Sequence, residues 1–82
     1  MDGERRKWFP DALRGAADQT ATLAVSMQGL SEADAVALGS KAGIEVIVTT
    51  RDTATFPYRT KLDPRRVRLN IQDGQVVSTE VG

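Results

Sequence analysis

The 82-residue sequence has neither cysteine nor histidine. Without cysteine there are no disulfide staples and no thiol chemistry, and nothing marks the redox compartment. Without histidine the commonest general base and the commonest metal ligand are both missing. Net charge is absent as well: 11 basic residues balance 11 acidic ones, which argues against a generic nucleic-acid or membrane binder. No apolar run approaches the ~20 residues of a membrane span. With one Trp, one Tyr and two Phe, the core has to be built from Val, Ile, Leu and Ala. There is no glycine-rich phosphate loop, and the carboxylates are scattered. An enzyme is therefore the least favoured class, and no cofactor and no metal are expected.

What is present fits a single domain, residues 1–82. Met1–Lys7 is charged and expected to fray. It lacks a hydrophobic signal core, so the chain is expected to be cytoplasmic, or secreted with its signal removed. Pro10 suits a first helical turn and Asp11 the positive end of its dipole. Trp8 is expected to lie as a lid on the core. In Thr20–Met27 the alternation of Leu23, Val25 and Met27 favours a short strand, although the alanines also allow helix.

Gly29–Asp34 reads as a helix start. Ser31 can cap, Asp34 can reach back, and Leu30 can staple onto the first turn. Ala35, Leu38 and Ala42 share one face, Gly39 weakens the middle, and Gly43 supplies a left-handed stop. Ile44–Thr50 is a β-branched strand with Ile44, Val46 and Val48 on one side. Arg66–Gln72 alternates most cleanly, with Val67, Leu69 and Ile71 opposite Arg66, Arg68, Asn70 and Gln72. Asp73-Gly74 is a turn signal, and Val76–Val81 returns as the last strand. The expected fold class is α+β: a small sheet packed on one main helix, a long exposed loop between two parallel strands, and a C-terminal hairpin.

The stretch Arg51–Ile71, which takes in that loop and most of the strand after it, holds most of the positive charge. Arg51, Arg59, Lys61, Arg65, Arg66 and Arg68 are met only by Asp52 and Asp63. A long polar loop in so small a chain is costly in ordering entropy and is usually functional or disordered. Arg66 and Arg68 are two apart and point to one side of their strand. Their forked guanidinium groups suit bracing loop carbonyls or a carboxylate, with Asp63 as the natural partner. The bland alternative makes them the solvated face of a half-exposed strand.

GLSEADA at a helix start, a β-branched strand, a long loop, then RRVRL, Asp73-Gly74 and a final Val81-Gly82 together resemble the potato inhibitor I type of serine-protease inhibitor. The similarity is greatest to its bacterial, disulfide-free relatives, and it covers residues 29–82. The resemblance implies a wedge whose loop enters a subtilisin- or chymotrypsin-like active site as an extended, substrate-like strand. It implies slow cleavage because a braced loop keeps the leaving group in place, with Arg66 and Arg68 as the bracing pair. The protease-binding residues would be Tyr58, Arg59, Thr60, Lys61, Leu62 and Asp63, within Thr53–Pro64. One register puts the scissile position at Thr60, with Lys61 where the family has an acid. The other puts it at Leu62, with Asp63 supplying the acid and the brace moved to Arg68 and Asn70. Leu62 in the primary pocket implies subtilisin- or chymotrypsin-like targets, whereas Arg59 or Lys61 implies trypsin-like ones. Residues 14–28 have no counterpart in the family pattern.

The expected partner is thus a serine protease, met by a chain that is a monomer when free, with no nucleic acid and no membrane. Two alternatives stand beside it. A non-inhibitory module on the same fold would bind an acidic protein surface through Arg59 and Lys61. A nucleic-acid binder would stack bases on Phe56 and Tyr58, but zero net charge disfavours it.

Overall fold

In the computed structural model, which describes residues 9–57 and 61–82, the first helix is longer than the sequence suggests. Helix α1 runs Asp11–Met27 without a break, so the expected strand at Thr20–Met27 is its second half. Its buried positions are Ala17, Thr20, Ala24 and Met27, spaced as one helical face. Val25, which carried the apparent alternation, is 63% exposed. Apart from Met27, that face is built from residues too small to stand out in a hydropathy reading. Pro10 precedes the first turn, Asp11 occupies it, and Arg14 pairs with Asp11 at 2.9 Å. Phe9 is buried beneath this start, while Trp8 and Met1–Lys7 lie outside the described residues.

Helix α2, Glu32–Lys41, begins as its sequence demands: the Ser31 hydroxyl accepts from the Asp34 N–H at 3.2 Å. It stops at Gly43, whose φ is +73°. Its sheet-facing side is Ala35 and Gly39, with Leu38 half-buried, whereas Ala42 is exposed. Gly39 is a packing requirement as well as a helix weakness. A Cβ there would lie 2.3 Å from Val46 Cγ2 and 3.2 Å from the Ile44 carbonyl oxygen.

Among the described residues four strands form one sheet in the order β2-β1-β3-β4. They are β1 (Glu45–Arg51), β2 (Ala54–Thr55), β3 (Arg66–Gln72) and β4 (Gln75–Val81). As expected, β1 and β3 are parallel and β3–β4 is an antiparallel hairpin. Asp73 and Gly74 both have positive φ, 52° and 78°, the two-residue turn that matches strand twist. The strand β2 was not foreseen. It folds back on the outer edge of β1, pairing Thr50 with Thr55 and Arg51 with Ala54.

Val67, Leu69 and Ile71 of β3 are fully buried and form the core with Ala17, Ala24, Met27, Ala35, Ile44, Val76 and Val81. The segment between the helices is stitched to β4, with Gly29 N–H donating to Val76 O and Val76 N–H to Leu30 O, both at 2.8 Å. Both helices thereby cover one face of the sheet. The register shifts on both sides of Asn70, where Thr49 and Val77 are the extra residues, and such bulges bend strands.

Candidate functional site: a loop held at both feet

The connection from β1 to β3 comprises residues 52–65, and its two feet are fixed by different chemistry. At the upstream foot, Asp52 adopts φ 56° to turn the chain back. Phe56 N–H extends the β2 ladder to Thr49 O at 2.9 Å. Arg51 forks onto Glu32, with Nε and Nη2 donating to the two carboxylate oxygens at 3.0 and 2.7 Å. Its guanidinium carbon also lies 5.2 Å from the centre of the Phe56 ring. The hydrogen bond to Glu32 and that residue's charge raise the Arg51 pKa above its ordinary value.

The downstream foot is built around Arg66. This arginine is only 3% exposed and Arg68 only 5%, so neither is a solvated face. Arg66 Nη2 donates to the carbonyl of Lys61. Its Nε donates to the carbonyl of Gly82 at 3.0 Å, and its Nη1 lies 3.6 Å from Glu45. One buried guanidinium thus joins the loop, the last residue of the sequence and the start of β1. Burying a charge is costly unless it is paired and hydrogen-bonded, and these three partners meet that condition.

Asp63 does not serve as the arginine's partner in the way its sequence position suggests. Its carboxylate accepts from the Arg65 N–H at 2.8 Å, and its carbonyl accepts from the Arg66 N–H at 3.3 Å. Those bonds make a local turn of the kind Asp-Pro sequences favour. The carboxylate beside Arg66 is Glu45, supplied by the neighbouring parallel strand. Leu62 is half-buried against the core, and Pro64 O accepts from the Thr20 hydroxyl of α1 at 2.6 Å. Glu45 N–H donates to Arg65 O at 2.8 Å.

From Leu62 to Arg65 the loop is therefore committed to the frame. Lys61 is exposed in side chain and held in backbone. A cleft of about 210 Å³ lies among Lys61, Leu62, Asp63 and Arg66. Tyr58, Arg59 and Thr60, expected to contact a protease, lie outside the described residues.

Arg68 stands across from Ile47 of β1 and Glu80 of β4. It lines a second cleft of about 270 Å³ with Thr49, Thr50, Asn70, Ser78, Thr79 and Glu80. Thr50 donates its hydroxyl proton to Asn70 Oδ1 at 2.5 Å there.

Sequence reasoning missed two site residues, Glu45 and Thr20. Glu45 heads a strand paired in parallel with the one Arg66 heads, a signal available once those strands are aligned. Thr20 carried no comparable signal. Among the described residues no group of His, Cys, Asp and Glu could hold a metal ion, and no helix is long and apolar enough to cross a membrane. No family model matches the chain, and no curated protein or solved structure was found to be similar to it.

Proposed function

We propose that the chain is a serine-protease inhibitor of the potato inhibitor I kind, presenting the loop around Lys61 to a protease as an extended, substrate-like strand. The observation that carries this reading is the buried Arg66, which grips the Lys61 carbonyl from inside the fold. A loop held this way loses little entropy on binding, so affinity improves without added contacts. It also keeps the residues after a cut in place.

The same geometry favours one register. Leu62 is spent on the core and Asp63 on its own turn, so neither is free to fill a protease pocket. Lys61, gripped through its carbonyl, suits the leaving side of the scissile bond, with Thr60 on the acyl side. The family's acid is then replaced by a cation, and the partner best matched to it carries acidic groups beside its cleft.

Incubation with subtilisin, chymotrypsin, trypsin and elastase, followed by residual activity and intact mass, tests this. Inhibition with one slow cut before Lys61 is the expected result. Rapid cutting at many sites without inhibition would sink the reading.

The exposed Lys61 and Arg65 side chains also suit the second reading, a non-inhibitory module for an acidic protein surface. That reading gains if every protease stays fully active in a large excess of the chain. An Arg59→Ala/Lys61→Ala variant would then lose the salt dependence of binding to its partner.

A further inference from the structure

Thr20 is fully buried in the middle of α1, in the part of the chain that the family resemblance does not reach. Its hydroxyl oxygen lies 2.6 Å from the Pro64 carbonyl oxygen and 2.9 Å from that of Ala16. A hydroxyl has one proton to donate. The Ala16 carbonyl already accepts the Thr20 backbone N–H in the helix ladder, and the contact to Pro64 is the shorter of the two, so we assign the proton to Pro64. Pro64 lies between the exposed Lys61 and the buried Arg66, in the segment that would become the leaving strand.

We propose that Thr20 is a positioning residue for inhibition, holding the leaving strand in register from the helix side while Arg66 holds it from the sheet side. This rests on the inhibitor reading above. In the encounter, the target protease's serine oxygen bonds to the carbonyl carbon preceding Lys61. The C–N bond breaks, and the serine's proton passes to the Lys61 nitrogen. The step reverses when that nitrogen attacks the acyl carbon, gives its proton back and expels the serine. The cut becomes lasting when water attacks the acyl carbon instead, giving one proton to the expelled serine oxygen and leaving a new carboxyl end and a free Lys61 amine.

Which outcome wins depends on how closely the Lys61 nitrogen stays to the acyl carbon, since proximity converts a bimolecular step into an effectively unimolecular one. The grip on Pro64 restrains the strand that carries this nitrogen. It comes from an element packed against β3 and β4 rather than from the loop.

The test compares Thr20→Val, which keeps the branched shape without the proton, with Thr20→Ser, which keeps the proton. Thr20→Ala serves as a smaller variant should valine not fold. Each is incubated with whichever of subtilisin, chymotrypsin, trypsin and elastase the parent inhibits, and the cut form is followed by intact mass. Thermal unfolding and backbone amide exchange are measured on the free proteins.

For Thr20→Val, permanent cutting before Lys61 is expected to run about tenfold faster, the scale of one lost hydrogen bond, with association unchanged. The Arg65 and Arg66 amides should exchange about tenfold faster while the Leu69 amide stays protected. Thr20→Ser should behave as the parent.

Parental cutting rates and parental exchange in Thr20→Val would overturn the role of Thr20 while leaving the inhibitor reading intact. So would equal defects in the serine and valine variants, which would indicate packing rather than the proton. Failure of the parent to inhibit any of the four would overturn the inhibitor reading, and this role with it.

Discussion

Arg66 and Gly82 are bonded to each other twice. The Gly82 N–H donates to the Arg66 carbonyl, and Arg66 Nε donates to the Gly82 carbonyl, each at 3.0 Å. The first bond belongs to the β3–β4 pairing and the second to the brace. The side chain that steadies the loop is itself steadied by the end of the sheet.

Arg66→Ala should therefore cost about 2–4 kcal/mol of folding stability, because it strips a donor from two carbonyls and removes the cation beside Glu45. Arg66→Lys should recover only part of this, since an ammonium cannot reproduce the fork. Deleting Gly82 should loosen the loop without touching it. Chemical denaturation reads the first effect. Faster proteolytic cutting before Lys61, in both Arg66→Ala and the deletion, reads the second.

The register has its own test. Leu62→Ala should lower stability by roughly 1–2 kcal/mol, since Leu62 packs on the core, yet leave the choice of inhibited protease unchanged. Thr60→Leu should shift that choice toward subtilisin- and chymotrypsin-like enzymes. If Leu62→Ala changes the preference and Thr60→Leu does not, the scissile position is Leu62.

Gly39 sets helix propensity against packing. In an open helix, Gly→Ala gains about 1 kcal/mol. Here the new methyl would collide with Val46 and press on the Ile44 carbonyl, so Gly39→Ala should destabilise by about 1–3 kcal/mol, as overpacking does. A lowered denaturation midpoint with an unchanged slope is the expected readout.

The readable features were those encoded within a few residues. The Ser31 cap, the Gly43 stop, the turn at Asp73-Gly74 and the buried side of β3 depend on local spacing, and the sequence carried them directly. The arginine pair was readable as a pair, but its burial was not. What covers Arg66 includes Gly82 and Lys61, and alternation along one strand says nothing about which side another segment returns to. Asp63 suggests a long-range partner by its place beside the arginines, whereas its nearest option is its own turn, an ordinary preference for Asp before Pro. The α1 helix hides its period because three of its four buried residues are Ala17, Thr20 and Ala24, while Leu23, Val25 and Met27 happen to alternate. Strand β2, two residues long, has too little pattern for any periodicity to show.

The sheet order has one more consequence. Everything up to residue 60 includes both helices, β1 and β2, and everything from Lys61 onward carries β3 and β4. In space these portions are interleaved, because β3 lies between β1 and β4 and α1 packs on both β3 and β4. A chain severed ahead of Lys61 is thus a two-piece molecule in which each piece completes the other's core. The shorter piece has no independent surface to settle on, and the longer one would have to expose its apolar side to let it go. On the inhibitor reading, what holds the two pieces together after a cut is the shared core of the whole domain rather than the loop alone.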